Sequence, residues 1–144
     1  ASSEPVAGRF DLGWHPHGRH VHESALGLTP ARLRGIAEAK ADLLVFVDDD
    51  NVLDPDYLRR AVDIDRRCPF LGAWGCGDLQ PEFEVKPPNW TESYWTMLAV
   101  GTIREDVWSN LRDQLSTVPC GAGLCVRSRV AREYRRLCGE HALR

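Results

Sequence analysis

The stretch that decides the fold spans residues 43–51 and reads Leu43-Leu44-Val45-Phe46-Val47-Asp48-Asp49-Asp50-Asn51. Its first five residues are apolar, with β-branched and aromatic side chains, as in a strand buried on both faces of a sheet covered by helices. Three adjacent carboxylates follow at once. Because ligands of open α/β sheets bind beyond the carboxyl ends of the strands, this abrupt change indicates a ligand-binding edge.

A predicted helix lies on each side of this strand. The first covers residues 29–40, with Thr29 as N-cap and Pro30 in the first helical position. The second covers residues 54–67 and begins in the same way, with Asp54 as its cap. Helix, strand, loop and helix in this order predict an α/β domain whose mostly parallel sheet is flanked by helices.

The rest of the chain is expected to complete this single domain. Helical segments are predicted at residues 91–100 and 105–115, and a strand at residues 124–126. A last amphipathic helix is predicted from residue 130 to residue 138. No repeat or linker divides the 144 residues, so we expect one domain over residues 1–144.

Composition and charge exclude several classes of protein. With 43% apolar and 27% charged residues the chain has a globular balance, and no apolar run approaches the roughly 18–20 residues of a membrane span. The net charge is −3, and residues 42–65 alone contribute −6. A nucleic-acid-binding domain would show a basic stripe, so we expect no nucleic-acid partner. Concentrated carboxylates instead suit a divalent cation.

The cysteines indicate a reducing compartment. There are five of them, an odd number, and no two form a Cys-x-x-Cys pair. This pattern speaks against a disulfide framework and against a four-thiolate zinc site. A cytoplasmic location is therefore expected.

The acidic cluster predicts a site for a metal-bound diphosphate. Three adjacent carboxylates repel one another unless a cation or hydrogen-bond donors compensate. In an extended segment residues i and i+2 point the same way, so Asp48 and Asp50 are expected to face one ligand. Hard oxygen ligands suit Mg²⁺ or Mn²⁺, and Mg²⁺ sites typically combine one or two carboxylates with substrate phosphates. The alternative is that the aspartates are solvated turn residues and helix caps.

With these residues the chain resembles the family 2 glycosyltransferases of the GT-A fold, from about residue 20 to residue 137. The resemblance rests on four ordered blocks, the second of which contains the Asp-x-Asp region: residues 27–35, residues 44–58, residues 72–75, and residues 119–123 with Arg127.

The resemblance implies transfer of a sugar from a nucleoside diphosphate donor to an acceptor hydroxyl, with inversion and with Mn²⁺ or Mg²⁺ as cofactor. Asp48 would lie toward the nucleoside and the metal, and Asp50 would be the direct metal ligand. Asp49 would contribute electrostatically, and Arg32 would approach the nucleotide. The turn Gly121-Ala122-Gly123 would let the backbone approach the donor sugar, where a side chain would clash.

The acceptor side is assigned to residues between the second and fourth blocks. Trp74 and Trp90 are expected to offer apolar platforms beside Gly75, with Glu82 as an acceptor carboxylate; packing and solvated charge are the alternatives. The acceptor would be a sugar or a lipid-linked sugar, as in the synthesis of cell-surface polysaccharide. The arginines of the last helix predict either a solvated face or attraction to anionic head groups at the inner face of the membrane.

Two features of the family are not matched. No Pro-x-Tyr/Phe-Asn-type opening segment precedes residue 20, and the Glu-Asp pair that supplies the family's general base is expected beyond residue 144. We therefore expect the chain to be a fragment, incomplete at both ends, that holds the diphosphate platform and part of the acceptor wall.

Two other functions remain open. A metal-dependent nucleotidyltransferase or phosphotransferase would also pair aspartates with Mg²⁺, but it would need a glycine-rich phosphate loop that the sequence lacks. A non-catalytic module that binds a nucleotide sugar is the other alternative. His15, His17, His20 and His22 indicate either a polar loop or edge strand, or a zinc site.

Overall fold

A computed structural model describes residues 9–141 of the chain. Three α-helices, five short strands and two 3-10 helices follow one another in these residues: α1 (Leu28–Glu38), β1 (Leu43–Phe46), α2 (Tyr57–Arg67), β2 (Ala73–Trp74), β3 (Asp78–Leu79), a 3-10 helix (Asn89–Leu98), β4 (Gly101–Thr102), a second 3-10 helix (Leu115–Thr117), β5 (Leu124–Arg127) and α3 (Ser128–His141). The chain forms two compact units, one of Ala1–Lys40 with Arg132–Arg144 and one of Ala41–Ala131.

The first unit contains α1 and most of α3. Helix α1 begins one residue before the predicted cap: Gly27 is the N-cap residue, and Thr29 lies inside the helix. Within α1, the Arg34 guanidinium lies 2.9 Å from a carboxylate oxygen of Glu38, one turn further on. The helix predicted at residues 29–40 is therefore confirmed, with a different cap.

The second unit is built on a three-stranded sheet in the order β1-β5-β2. Strand β5 is antiparallel to both neighbours: Phe46 pairs with Leu124, and Trp74 pairs with Cys125. The prediction of a mostly parallel sheet is therefore wrong, although the mixed α/β class is confirmed. Strands β1 and β2 do run in the same direction, as their connection through α2 implies, but β5 lies between them with the opposite direction.

The core of this unit lies where α2 covers one face of the sheet. Cys125 lies opposite Val45 on one side and Trp74 on the other, so the three residues form a row across the strands. Ala61 and Ile64 of α2 pack against this row. Cys125 is fully buried and Trp74 is 8% exposed.

The chain between β2 and β5 is less regular. Strands β3 and β4 form a separate two-residue antiparallel pair. The helix predicted at residues 91–100 is present as the 3-10 helix Asn89–Leu98, but no helix forms at residues 105–114. Val107, Trp108 and Leu111 are more than half exposed there, and a short helix without a surface to bury its apolar face is marginal in water.

Candidate functional site

Three loops meet at one edge of the three-stranded sheet, because β1 and β2 end where β5 begins. The loops consist of residues 47–51 after β1, residues 75–76 after β2 and residues 120–123 before β5; we call them together the aspartate edge. The pairing of Phe46 with Leu124 places the segment from Val47 onward beside the segment that ends at Gly123. The register therefore brings the aspartate cluster and the glycine turn together, as expected for a site beyond strand ends.

The aspartate cluster forms a tight turn. The backbone N–H of Asn51 donates to the Asp48 carbonyl at 3.1 Å, which closes a four-residue turn around Asp49 and Asp50. Strand β1 ends at Phe46, so the alternation by which Asp48 and Asp50 were expected to face one ligand does not extend to them. Asp48 is half-buried, whereas Asp49 and Asp50 are exposed to solvent.

Asn51 adds a further oxygen atom to this turn. Its side-chain amide donates to Oδ1 of Asp50 at 3.2 Å. Its own Oδ1 is buried and accepts no hydrogen bond from the residues that the structure describes. A buried carbonyl oxygen is costly to leave without a partner, which makes it a candidate ligand atom.

The glycine turn is shaped by Gly123. Its φ of +72° lies in the left-handed region, and a Cβ atom at this position would lie 2.6 Å from the Tyr57 hydroxyl. The carbonyl of the same glycine accepts a hydrogen bond from that hydroxyl, across 66 residues of sequence. Glycine is therefore required here both by backbone conformation and by the close approach of Tyr57.

Tyr57 is a residue that sequence reasoning missed. It is the first residue of α2, and its hydroxyl ties that helix to the glycine turn. Burial, followed by the neighbouring thiols of Cys125 and Cys76, raises the pKa of the phenol well above its ordinary value. Tyr57 therefore remains a donor at every physiological pH. The predicted cap of this helix, Asp54, is wrong, because Asp56 is the N-cap residue, and no feature of the sequence singled out Tyr57.

Trp74 and Gly75 have packing roles. Trp74 is 8% exposed and belongs to the core, so it does not provide the open platform for an acceptor that the sequence predicted. A Cβ atom at Gly75 would lie 2.9 Å from Cβ of Pro119. Gly75 therefore allows the loop after β2 to lie against the segment that leads into the glycine turn.

Arg127 is the last residue of β5 and lies at the end of that strand away from the aspartate edge. Its guanidinium donates to the carbonyls of Leu71, Asp65 and Cys68 at 2.7, 2.8 and 3.2 Å, and it pairs with the Asp65 carboxylate. It also lies 5.6 Å from the centre of the Trp74 ring. These bonds tie the end of α2 to β5, so Arg127 supports the sheet that positions the site and does not belong to a solvated arginine face.

The remaining acceptor residues lie in the irregular segment. Glu82 is exposed, and Trp90 is 71% exposed with its ring 6.3 Å from that of Tyr94. Trp90 is therefore an apolar surface open to solvent.

Arg32 belongs to the first unit. It lies on α1, and its positive charge opposes the rise in the pKa of Tyr134 that the Cys138 thiol causes.

The ionisable side chains that commonly bind metals are dispersed in the described part of the chain. Within residues 9–141, no three His, Cys, Asp or Glu side chains are grouped so as to hold an ion. His15 and His17 are close, with ring centres 6.1 Å apart, and the segment that contains them has neither helix nor strand. The aspartate edge would therefore need oxygen atoms from a ligand to complete a metal's coordination.

A family model for Glycosyl transferase family 2 matches residues 4–109 of the chain. The chain belongs to this family. The match includes Arg32, the aspartate turn and the acceptor segment as far as Trp90, while the glycine turn lies beyond it. Neither a curated protein nor a solved structure matches the chain. In the part of the chain that the structure describes, no helix has the length and apolar character that crossing a bilayer requires.

Proposed function

We propose that this family 2 domain transfers a sugar, with inversion, from a nucleoside diphosphate donor to an acceptor hydroxyl, and that the donor diphosphate binds at the aspartate edge of a GT-A-type sheet. Membership of the family supports the reaction class. The observation that carries the choice of site is the pairing of Phe46 with Leu124, which brings the aspartate turn beside the glycine turn.

The residues of the aspartate turn fit a divalent cation. Carboxylate oxygens and the Oδ1 of Asn51, which has no hydrogen-bond partner among residues 9–141, are hard donors, which Mg²⁺ and Mn²⁺ prefer. We assign the metal to Asp48 and Asp50, and we assign to Asp49 a general electrostatic contribution. When bound, the ion would neutralise negative charge on the departing diphosphate.

The glycine turn would receive the donor sugar. Gly121 has no side chain and Ala122 has only a methyl group, and both are half-buried, so a sugar can approach their backbone closely. Gly123 is buried and the space beside it is filled by Tyr57, so we assign it the shape of the turn and no direct contact with the sugar. The hydrogen bond from Tyr57 holds the Gly123 carbonyl, which leaves the turn with a fixed shape before the ligand arrives. A preformed turn costs less ordering entropy on binding.

The acceptor side is proposed for the irregular segment that contains Glu82 and Trp90. An exposed indole is a suitable surface for a sugar ring, and the exposed carboxylate of Glu82 can accept hydrogen bonds from sugar hydroxyls. A sugar or a lipid-linked sugar fits this description. For a lipid-linked acceptor, we propose that the enzyme works in the cytoplasm at the inner face of the membrane, where arginines of α3 meet anionic head groups.

The proposal is tested by donor binding to the reduced protein. UDP-, GDP- and dTDP-sugars are titrated calorimetrically with and without Mn²⁺, since binding tests the donor site without requiring a general base. We expect at least one donor to bind more than tenfold more tightly with the metal. Asp50→Asn is expected to remove this gain, because an amide is a weaker ligand for a hard cation.

Asp42→Asn is the matched control. Asp42 precedes β1, at the end of the strand opposite Asp48, and its side chain is exposed. The same loss of one negative charge should leave metal-dependent binding unchanged there. Donor binding whose affinity changes neither with the metal nor with the Asp50 substitution would overturn the proposal. Tighter binding of a nucleoside triphosphate than of every nucleotide sugar would also overturn it.

A further inference from the structure

Two thiols lie together beside the glycine turn. Cys76 follows β2 and Cys120 precedes the turn, and the two sulfur atoms lie 3.8 and 3.5 Å from the same atom, the carbonyl oxygen of Ala122. Both residues are half-buried, so neither is enclosed in the core. The third cysteine of this region, Cys125, is fully buried in the core.

The backbone keeps these two residues side by side. A Cβ atom at Gly75, the neighbour of Cys76, would lie 2.9 Å from Cβ of Pro119 and 3.9 Å from the backbone nitrogen of Cys120. The two segments flank paired strands, since Trp74 lies opposite Cys125. The Cys76 thiol also interacts with the Cys120 thiol, which together with the larger effect of burial raises the pKa of Cys76.

We propose that Cys76 and Cys120 form a reversible disulfide, and that a small disulfide such as oxidised glutathione is the oxidant. Both sulfur atoms lie against one carbonyl oxygen and the two backbone segments lie side by side, which favours such a bond because disulfides require neighbouring backbone. The odd number of cysteines and the absence of a Cys-x-x-Cys pair hide this pair from sequence reasoning, since 43 residues separate its members.

The reaction balances as thiol–disulfide exchange. One protein thiolate attacks oxidised glutathione, a mixed disulfide forms, and one glutathione thiolate leaves. The second protein thiolate then attacks the protein sulfur of the mixed disulfide and releases the second glutathione thiolate. The protein loses two electrons and two protons, and one oxidised glutathione becomes two reduced glutathione molecules. Excess dithiol reductant reverses both steps.

The test measures which thiols are lost and which peptides are joined. The folded, reduced chain is incubated with oxidised glutathione, and its five thiols are counted under denaturing conditions before and after. Peptide mass mapping then locates the link. We expect two of the five thiols to disappear, a single cross-linked peptide pair containing Cys76 and Cys120, and full recovery on addition of dithiothreitol.

Two variants give the controls. Cys120→Ser is expected to abolish the cross-link and to leave a glutathione adduct on Cys76. Cys68→Ser removes a half-buried cysteine elsewhere in the same unit and should leave the Cys76–Cys120 link intact. Glutathione adducts on both Cys76 and Cys120 of the unsubstituted chain, or a predominant link between any other pair, would overturn the proposal.

Discussion

The aspartate edge and the segment of residues 80–118 belong to one unit but are built in different ways. Beside the aspartate edge, Cys125 is fully buried and Trp74 is 8% exposed. In the segment, Met97 is 80% exposed and Leu115 is 76% exposed. Three paired strands and a helix support the edge, whereas the segment contributes one two-residue strand, β4, whose partner β3 directly precedes the segment.

This difference separates the two halves of the proposed reaction. The diphosphate and donor sugar are assigned to loops whose positions are set by strand register. The acceptor is assigned to side chains such as Trp90 that are open to solvent. We therefore expect substitutions at the edge to reduce the stability of the fold, and substitutions in the segment to leave it nearly unchanged.

The two tryptophans give the largest contrast. Trp74→Ala removes a buried indole and should lower the free energy of unfolding by about 3–5 kcal/mol, because the core cannot close the cavity. Trp90→Ala should change it by less than about 0.5 kcal/mol, since that side chain is mostly solvated. Urea denaturation followed by circular dichroism measures both values.

If Trp74→Ala does not fold, Trp74→Phe replaces it in the comparison with Trp90→Ala. Trp74→Phe retains a buried ring and also removes an indole nitrogen that has no hydrogen-bond partner among the described residues. It should therefore fold and lose less stability than the alanine variant. Equal effects of alanine at the two tryptophans would contradict the distinction between edge and segment.

Two glycines give the next largest contrast. Gly123→Ala should cost roughly 2–3 kcal/mol, because alanine is strained at a left-handed φ and its Cβ would meet the Tyr57 hydroxyl. Gly35 in α1 is the matched control, since a Cβ there meets no atom within 4 Å. Gly35→Ala should raise stability by about 0.5–1 kcal/mol. Thermal unfolding gives both values, and a neutral Gly123→Ala would exclude the described turn.

The sequence predicts the parts of this unit that depend on neighbouring residues. An apolar run of five residues is enough to locate β1. The Asp54-Pro55 pair locates α2 only approximately, because that helix begins at Tyr57 with Asp56 as its N-cap residue. The antiparallel pairing of the strands could not be predicted in this way, because the partner of Phe46 is Leu124, which lies far along the chain. The succession of strand, helix and strand in the sequence favours a parallel sheet. The insertion of β5 between β1 and β2 leaves no signal in the neighbouring residues.

The same limit applies to the candidate site. Asp48, Asp50 and the glycines at residues 121 and 123 carry chemical signals that are visible in the sequence, namely adjacent charge and missing side chains. Tyr57 and the pair of Cys76 and Cys120 carry none, because their roles arise only when the register brings distant segments together. Trp74 carries a visible signal that has two meanings. A tryptophan among glycines is typical of a ligand platform and also of a core residue, and the structure shows the second.

Tyr57→Phe tests the link between helix and turn with the smallest change. The variant loses one hydroxyl and leaves the Gly123 carbonyl with only the weak thiol donor of Cys125, so we expect a loss of about 1 kcal/mol near neutral pH. The size of the loss should also depend on pH. The folded phenol has a raised pKa, so its contribution is complete below the ordinary tyrosine value of 10 and is lost as the pH rises from there toward the folded value.

Denaturation between pH 7 and pH 11 measures this dependence. The unsubstituted chain should lose stability above pH 10 more steeply than Tyr57→Phe, so that the two curves converge at high pH. Tyr94→Phe is the control, since Tyr94 is 57% exposed and lies in the irregular segment. Its curve should parallel that of the unsubstituted chain. Parallel curves for Tyr57→Phe would instead mean that the phenol does not bridge α2 and the glycine turn.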